Sequence, residues 1–233
     1  MKVMEVHRIH FTEIDSTNAW AKEHGAEFDP KKLTCITADV QTAGRGLYAN
    51  RRWVSKKGNL HMSLFLAIPP DPNLSQILPF AAVQVIQKEN LFVQIKWPND
   101  VLVEGKKICG VLVENTPQGV VLGLGMNVNT KIETDQPTTS LKELTKKEWD
   151  LENLALAISE KFLENWQKGF LALKEEFEKL LAYKGESITC KIGEKILEGI
   201  LLGITDEGHL QIEREDGTIH QIFSGEIHQL RSN

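Results

Sequence analysis

The run VQIKWPNDVLVEGKKICGVLVENTPQGVVLGLGMNV, residues 93–128, decides the fold class. Apolar, largely β-branched stretches at 93–97, 101–104, 108–115 and 120–128 alternate with the turn-forming groups Pro98-Asn99-Asp100, Glu104-Gly105-Lys106 and Thr116-Pro117-Gln118-Gly119. Four strands joined by turns this short predict a mixed or antiparallel sheet.

Upstream, residues 6–14 read as a strand, and Asp15-Ser16-Thr17-Asn18 supplies cap residues for a short helix over 19–24 that Gly25 closes. Residues 33–40 and 59–68 read as further strands. Leu74, Ile77, Leu78, Ala81, Ala82, Val85 and Ile86 recur at helical spacing, with Pro79 tolerable only near the first turn. Downstream, Leu151, Leu154, Ile158, Phe162 and Trp166 mark an amphipathic helix stopped near Gly169, and Leu173, Phe177, Leu180 and Leu181 mark a second. Beyond Gly185 short strands alternate with turns at Gly193-Glu194, Asp206-Glu207-Gly208, Asp216-Gly217 and Ser224-Gly225, the pattern of a small closed barrel of SH3-like size. The expected architecture is α/β of the α+β type: a mixed sheet with flanking helices over 1–184, and a barrel over 185–233 that docks on it.

A chain of 233 residues, 41% apolar and 25% charged, can bury one substantial core, which excludes collagenous and wholly disordered readings. No apolar run approaches the roughly 20 residues of a membrane span, and the first residues have no apolar signal core, so the expected location is cytoplasmic and away from membranes. Cys35, Cys109 and Cys190 are widely spaced and odd in number, and the seven histidines form no metal-ligand pattern, so neither disulfides nor a protein-bound metal is expected. Charge is informative in its placement. Residues 41–58 hold five basic residues (Arg45, Arg51, Arg52, Lys56, Lys57) and no acidic one, whereas the segment from Gly185 holds nine acidic and four basic. A DNA-binding tail is therefore not expected, because counterion release needs clustered cations. A loop this long inside a compact domain is usually functional.

Four segments carry chemistry: Asp15-Ser16-Thr17-Asn18; Gln41-Thr42-Ala43-Gly44-Arg45-Gly46 with Trp53; Lys96-Trp97-Pro98-Asn99-Asp100 followed by Lys107-Ile108-Cys109-Gly110; and Gly123-Leu124-Gly125-Met126-Asn127. A Gly-Arg-Gly turn offers approachable N–H groups with a guanidinium between them, suited to phosphate or carboxylate. Lys107 at the start of an apolar strand can hold a point charge in a cleft. A helix start rich in hydroxyls presents free N–H groups, though Ser16, Thr17 and Asn18 also serve as plain caps. Gly123 and Gly125 let a strand approach a ligand closely.

In this order and spacing the segments resemble the catalytic module of the biotin protein ligases, over nearly the whole chain and including Gly225-Glu226-Ile227 in the acidic tail. The resemblance implies a class II synthetase-like domain that joins biotin to ATP as biotinyl-5'-AMP and transfers biotin to a lysine of a biotin carboxyl carrier protein, with Mg2+ accompanying ATP. It implies a catalytic set of Arg45, Lys107 and Asp100. It puts Ser16, Thr17, Asn18, Gln41, Gly44, Arg45, Lys107 and Gly110 on biotin, and Arg45, Gly46, Trp53, Trp97, Asn99, Lys107, Gly123, Gly125 and Asn127 on the adenylate. Joining a carboxylate to a phosphate brings two anions together, so such a site must supply cations and exclude water.

Relatives that double as repressors carry a winged-helix domain ahead of the Asp-Ser-Thr-Asn segment, and only 14 residues precede it here, so a ligase without DNA binding is expected, as monomer or homodimer. The chain departs from the pattern at Leu47, where relatives carry a second arginine, and the loop has one extra residue before Trp53, with Arg51 or Arg52 as replacements. Three rivals stand beside this reading: lipoate or octanoyl transfer, a binding protein without catalysis, and an RNA-binding module using the basic loop with Tyr48 and Trp53 for stacking.

Overall fold

The structure, a computed structural model, describes residues 4–47, 52–134 and 136–229. Strands β1 (Val6–Ile14), β2 (Leu33–Gln41), β3 (Leu60–Leu66), β4 (Val93–Lys96), β5 (Asp100–Val103), β6 (Lys106–Thr116) and β7 (Gly119–Met126) form one seven-stranded sheet in the order β1-β2-β3-β7-β6-β5-β4. Only β1 and β2 pair parallel, because helix α1 (Thr17–His24) lies between them in sequence and returns the chain in the same direction. The antiparallel run from β4 to β7 is the one expected from residues 93–128.

Strand alternation divides the sheet into two faces. Leu60, Met62, Leu64 and Leu66 of β3 and Val120, Leu122, Leu124 and Met126 of β7 join the main core with helices α2 (Leu74–Ile86), α4 (Leu151–Lys168) and α5 (Phe170–Lys179). The opposite face holds a small core, Ala21 of α1 with Ile36, Phe65 and Val121. α1 covers only part of that face, and the uncovered part carries the site. All three cysteines are free and buried.

Pro79 does not sit in the first turn of α2 but beyond it, buried, so that helix lacks one internal N–H donor. The five-residue helix α3 (Leu141–Thr145), not expected, starts at Ser140, whose Oγ accepts from Glu143 N at 3.2 Å. Strands β8 (Ser187–Ile192), β9 (Lys195–Ile204), β10 (Leu210–Glu213), β11 (Ile219–Ile222) and β12 (Glu226–Gln229) form a second, antiparallel sheet in the order β11-β10-β9-β8-β12. This is the small domain of short antiparallel strands expected beyond Gly185, with β11 and β12 at the two ends of the strand order. It docks through Gly208, whose carbonyl accepts from Trp97 Nε1 at 3.0 Å and from Gln76 Nε2 at 3.3 Å. No helix among the described residues is long and apolar enough to cross a membrane.

Candidate active site

Register builds the floor of the site. His61 of β3 lies beside Gly125 of β7, Gly125 beside Gly110 of β6, and Gly110 beside Asp100 of β5. The next row runs Ser63, Gly123, Leu112, and the third Phe65, Val121, Glu114. Three glycines thus hollow the sheet face where bulkier residues would fill it. The hollows are occupied by side chains from the flanks, not left bare. A Cβ on Gly123 would overlap the Asn18 amide, one on Gly125 would overlap the Trp53 indole, and one on Gly110 would stand 3.3 Å from Lys107 Nζ. The two glycines of β7 therefore admit protein side chains that in turn bound the cavity, which refines their expected role of admitting a ligand directly.

A bulge places the central cation. Val101 pairs with Cys109 and Leu102 with Lys107, so Ile108 is an extra residue in β6, and the shift turns Lys107 onto the face of Gly110 and Asp100. Lys107 Nζ then lies 2.6 Å from Asp100 Oδ1, both side chains being less than one-fifth exposed. The backbone of Lys107 is held from outside the sheet, donating to Pro137 O at 2.9 Å and accepting from Thr139 N at 3.1 Å.

Two cavities open on this floor. The first, about 150 Å3, is lined by Ser16, Thr17, Asn18, Gln41, Arg45, Gly46, Lys107 and Gly110 among others. Its polar end is fixed group by group. Thr17 donates to Gln41 Oε1 from its N–H (2.9 Å) and its hydroxyl (3.1 Å), which turns the Gln41 Nε2 donor the other way. Ser63 Oγ lies 2.7 Å from Thr17 Oγ1 and 2.5 Å from Asn18 Oδ1, and Asn18 Nδ2 donates to Glu114 Oε2 at 2.8 Å. Lys22 closes the set at 2.6 Å from Glu114 Oε1. Burial would raise the Glu114 carboxyl, but the bonds from Lys22 and Asn18, with the charges of Lys22 and Arg45, hold it below its ordinary value. Ser16, the N-cap of α1, accepts from Ala19 N at 3.3 Å.

The second cavity, about 110 Å3, is lined by Arg52, Trp97, Asn99, Asp100, Asn127, Ile132 and Thr138 among others, with Glu226 reaching it from the second sheet. Asn127 is buried and its Oδ1 has no hydrogen-bond partner among the described residues, an acceptor on the cavity wall. Asn99 donates to Val111 O at 2.8 Å, so its amide ties β5 to β6. Trp97 presents one edge to the cavity and commits its N–H to Gly208. Gly46, Leu47, Trp53, Asn99 and Lys107 line both cavities. Gly44 accepts from Trp53 N at 3.1 Å and Arg45 bridges Arg52, closing the base of the basic loop. Arg51 and Tyr48 lie outside the described residues, so of the two expected replacements for the arginine at Leu47 only Arg52 has a described position, at the second cavity. Among the described residues no cluster of three or more His, Cys, Asp or Glu side chains is arranged to hold a metal ion.

Three participants were not expected, Lys22, Ser63 and Glu114, and neither was His61, which contacts Trp53 behind the cavity wall. The polar pair His61 and Ser63, two apart in the otherwise apolar strand LHMSLFL, was their one sequence signal.

Two polar cavities thus lie side by side on the mixed sheet and share the Lys107 cation at their junction. Residues 10–130 match the biotin/lipoate A/B protein ligase family and residues 184–228 the biotin protein ligase C-terminal domain. The bifunctional ligase/repressor BirA of Bacillus subtilis is 31% identical over 97% of this chain and 75% of its own length. The biotin–[acetyl-CoA-carboxylase] ligase of Mycobacterium tuberculosis is 26% identical over 89% of this chain and 82% of its own. Among solved structures, the biotin protein ligase of Aquifex aeolicus in complex with biotin and ATP superposes with a TM-score of 0.82 at 31% identity, covering 97% of this chain and 99% of that one. The chain belongs to the biotin/lipoate A/B protein ligase family, as an enzyme of its biotin protein ligase branch.

Proposed function

We propose that this enzyme condenses biotin with ATP to biotinyl-5'-AMP and pyrophosphate, then transfers biotin to a lysine of a biotin carboxyl carrier domain. The observation that carries this reading is the position of Lys107, which lines both cavities at their junction, where a carboxylate in one would meet the α-phosphate of a nucleotide in the other. Biotin's cyclic urea fits the polar end of the first cavity, with hydroxyls and the Gln41 Nε2 donor, and its carboxylate faces Lys107. The nucleotide takes the second cavity, where the Asn127 Oδ1, without a partner among the described residues, can accept from an amine.

In the first step a biotin carboxylate oxygen attacks the α-phosphorus and the pyrophosphate oxygen leaves. Negative charge grows on the phosphoryl oxygens and the departing pyrophosphate, where the Lys107 ammonium lies at the junction and the Arg45 and Arg52 guanidiniums line the first and second cavities. In the second step the carrier's lysine amine attacks the acyl carbon, AMP leaves, and the amine loses a proton. A lysine is less than roughly 0.1% neutral at pH 7, so a base must help, and Asp100 at the junction is the carboxylate in reach. Mg2+ would arrive on the phosphates of ATP with few protein ligands.

The division into 1–184 and 185–233 belongs to the same proposal, supported by the change of sheet after α5 and by Gly185, which takes a positive φ of 81° at the junction. Pyrophosphate exchange into ATP, run with biotin, lipoate or neither, tests the reading. Exchange that needs biotin supports it. Exchange with lipoate alone would move the enzyme to the lipoate branch, and none with either would favour a binding protein.

A further inference from the structure

His61 is a buried titratable side chain on the site face that the chemistry above does not use. Its two ring nitrogens are both engaged. Trp53 Nε1 donates to His61 Nδ1 at 3.2 Å, which requires Nδ1 to be unprotonated. The proton of the neutral ring is then on Nε2, which lies 2.8 Å from Ser55 Oγ and 3.4 Å from Lys56 O. Ser55 Oγ also accepts from Gln41 N at 2.7 Å. One ring therefore fastens three residues of the loop's return limb, Trp53, Ser55 and Lys56, to β3, and through Ser55 to the strand end that carries Gln41. Trp53 in turn closes the loop base on Gly44 and lies over Gly125, the residue beside His61 in register.

We propose that His61 is a positioning residue: in its neutral, Nε2-protonated form it clasps the return limb of the Arg45 loop to the sheet and so aligns the Trp53 wall with Gln41, and protonation of the ring opens the clasp. A charged imidazole has two donors and no acceptor, so the Trp53 N–H would face another N–H. Burial lowers the pKa of His61 from the ordinary histidine value, while the Lys56 carbonyl and the charge of Asp39 on β2 pull the other way. Asp39 is itself shared with Lys57 (3.5 Å) and His10 (3.6 Å), and β7 offers only Gly125 at this point. The sign follows: the clasp is shut at neutral pH and opens as pH falls below about 6.5, the unperturbed value.

This inference rests on the ligase reading for its kinetic arm but not for its spectroscopic one. Asparagine places a carbonyl oxygen where Nδ1 lies, lacks the Nε2 donor and does not titrate, whereas phenylalanine keeps a ring and removes all three contacts. Exchange at pH 8 should show His61→Phe with KM for biotin and ATP raised on the order of fivefold to tenfold and kcat less affected, the scale of one or two lost hydrogen bonds. His61→Asn, which keeps only the Trp53 bond, should lie between the parent and His61→Phe at pH 8 and should hold its own rate as pH falls below about 6.5, whereas the parent should lose rate there. Trp53 emission, taken as parent minus Trp53→Phe, should titrate below pH 6.5 without any substrate, and should not titrate in the His61→Asn background. Parallel acid losses in parent and His61→Asn, or a parent Trp53 signal that stays flat down to the onset of acid unfolding, would overturn the proposal. If His61→Phe fails to fold, the asparagine and fluorescence arms still decide. A parent without biotin-dependent exchange would sink the ligase reading and leave the fluorescence result to judge the clasp alone.

Discussion

Lys107 and Asp100 lie on one face of the sheet, 2.6 Å apart, only because Ile108 is an extra residue in β6. A regular strand would put Lys107 on the core face that packs against α2. Lys107→Ala and Arg45→Ala should each slow biotin-dependent exchange about 100-fold, the usual effect of losing a donor that meets charge in the transition state, typically ~3 kcal/mol. Asp100→Asn should cost exchange less than tenfold and transfer to the carrier more, because it keeps the size but loses the base. Single-turnover rates for the two steps check this, and near-parent exchange in both cation variants would contradict the site.

The glycine hollows give a second expectation. Gly125→Ala puts a methyl group against the Trp53 indole and Gly123→Ala one against the Asn18 amide. Each should cost about 1–3 kcal/mol, taken as weaker substrate binding, stability or both. Titration calorimetry with biotin and a thermal melt together should register it, and a parent-like result in both measurements would contradict the packing.

Trp97 is one of the polar ties to the second sheet, sharing Gly208 O with Gln76, beside Ile204 N on Glu178 Oε1 and the Lys174–Asp206 pair. Trp97→Phe removes one hydrogen bond, worth about 1 kcal/mol. For a chain of this size the melting temperature should fall by roughly 2–4 °C. An unchanged melt would mean that the tie contributes nothing.

Leu47, 41% exposed, lines both cavities where relatives are expected to carry an arginine, and Arg52 stands at the nucleotide-side cavity, bridged to Arg45. Arg52→Ala should therefore release biotinyl-AMP more readily and raise labelling of bystander albumin mixed with the carrier, while the parent labels the carrier alone. A variant as clean as the parent would assign retention of the adenylate elsewhere.

Much of this was legible in the chain. Residues 93–128 gave their four strands because turn groups and β-branched runs alternate there without ambiguity, and β1 matches its expected bounds at 6–14. The bulge was not legible, since Ile108 and Cys109 are both apolar and hide the change of phase. α3 carried a readable Ser-x-x-Glu cap at Ser140 and Glu143. Glu114 and Ser63 were missed for a different reason: alternation tells which face a residue takes, but only register across β3, β7 and β6 brings Ser63, Gly123 and Leu112 into one row, with Glu114 in the next. The acceptor at Asn127 was found through resemblance alone.

The most direct test mixes the enzyme with biotin and ATP, captures the bound product by rapid quench, and then chases an unquenched sample with a biotin carboxyl carrier domain. The account predicts biotinyl-5'-AMP formed on the enzyme in the absence of carrier, then consumed as biotin appears on one carrier lysine and AMP is released. No biotinyl-5'-AMP before the chase, or a carrier left unmodified after it, would contradict the account.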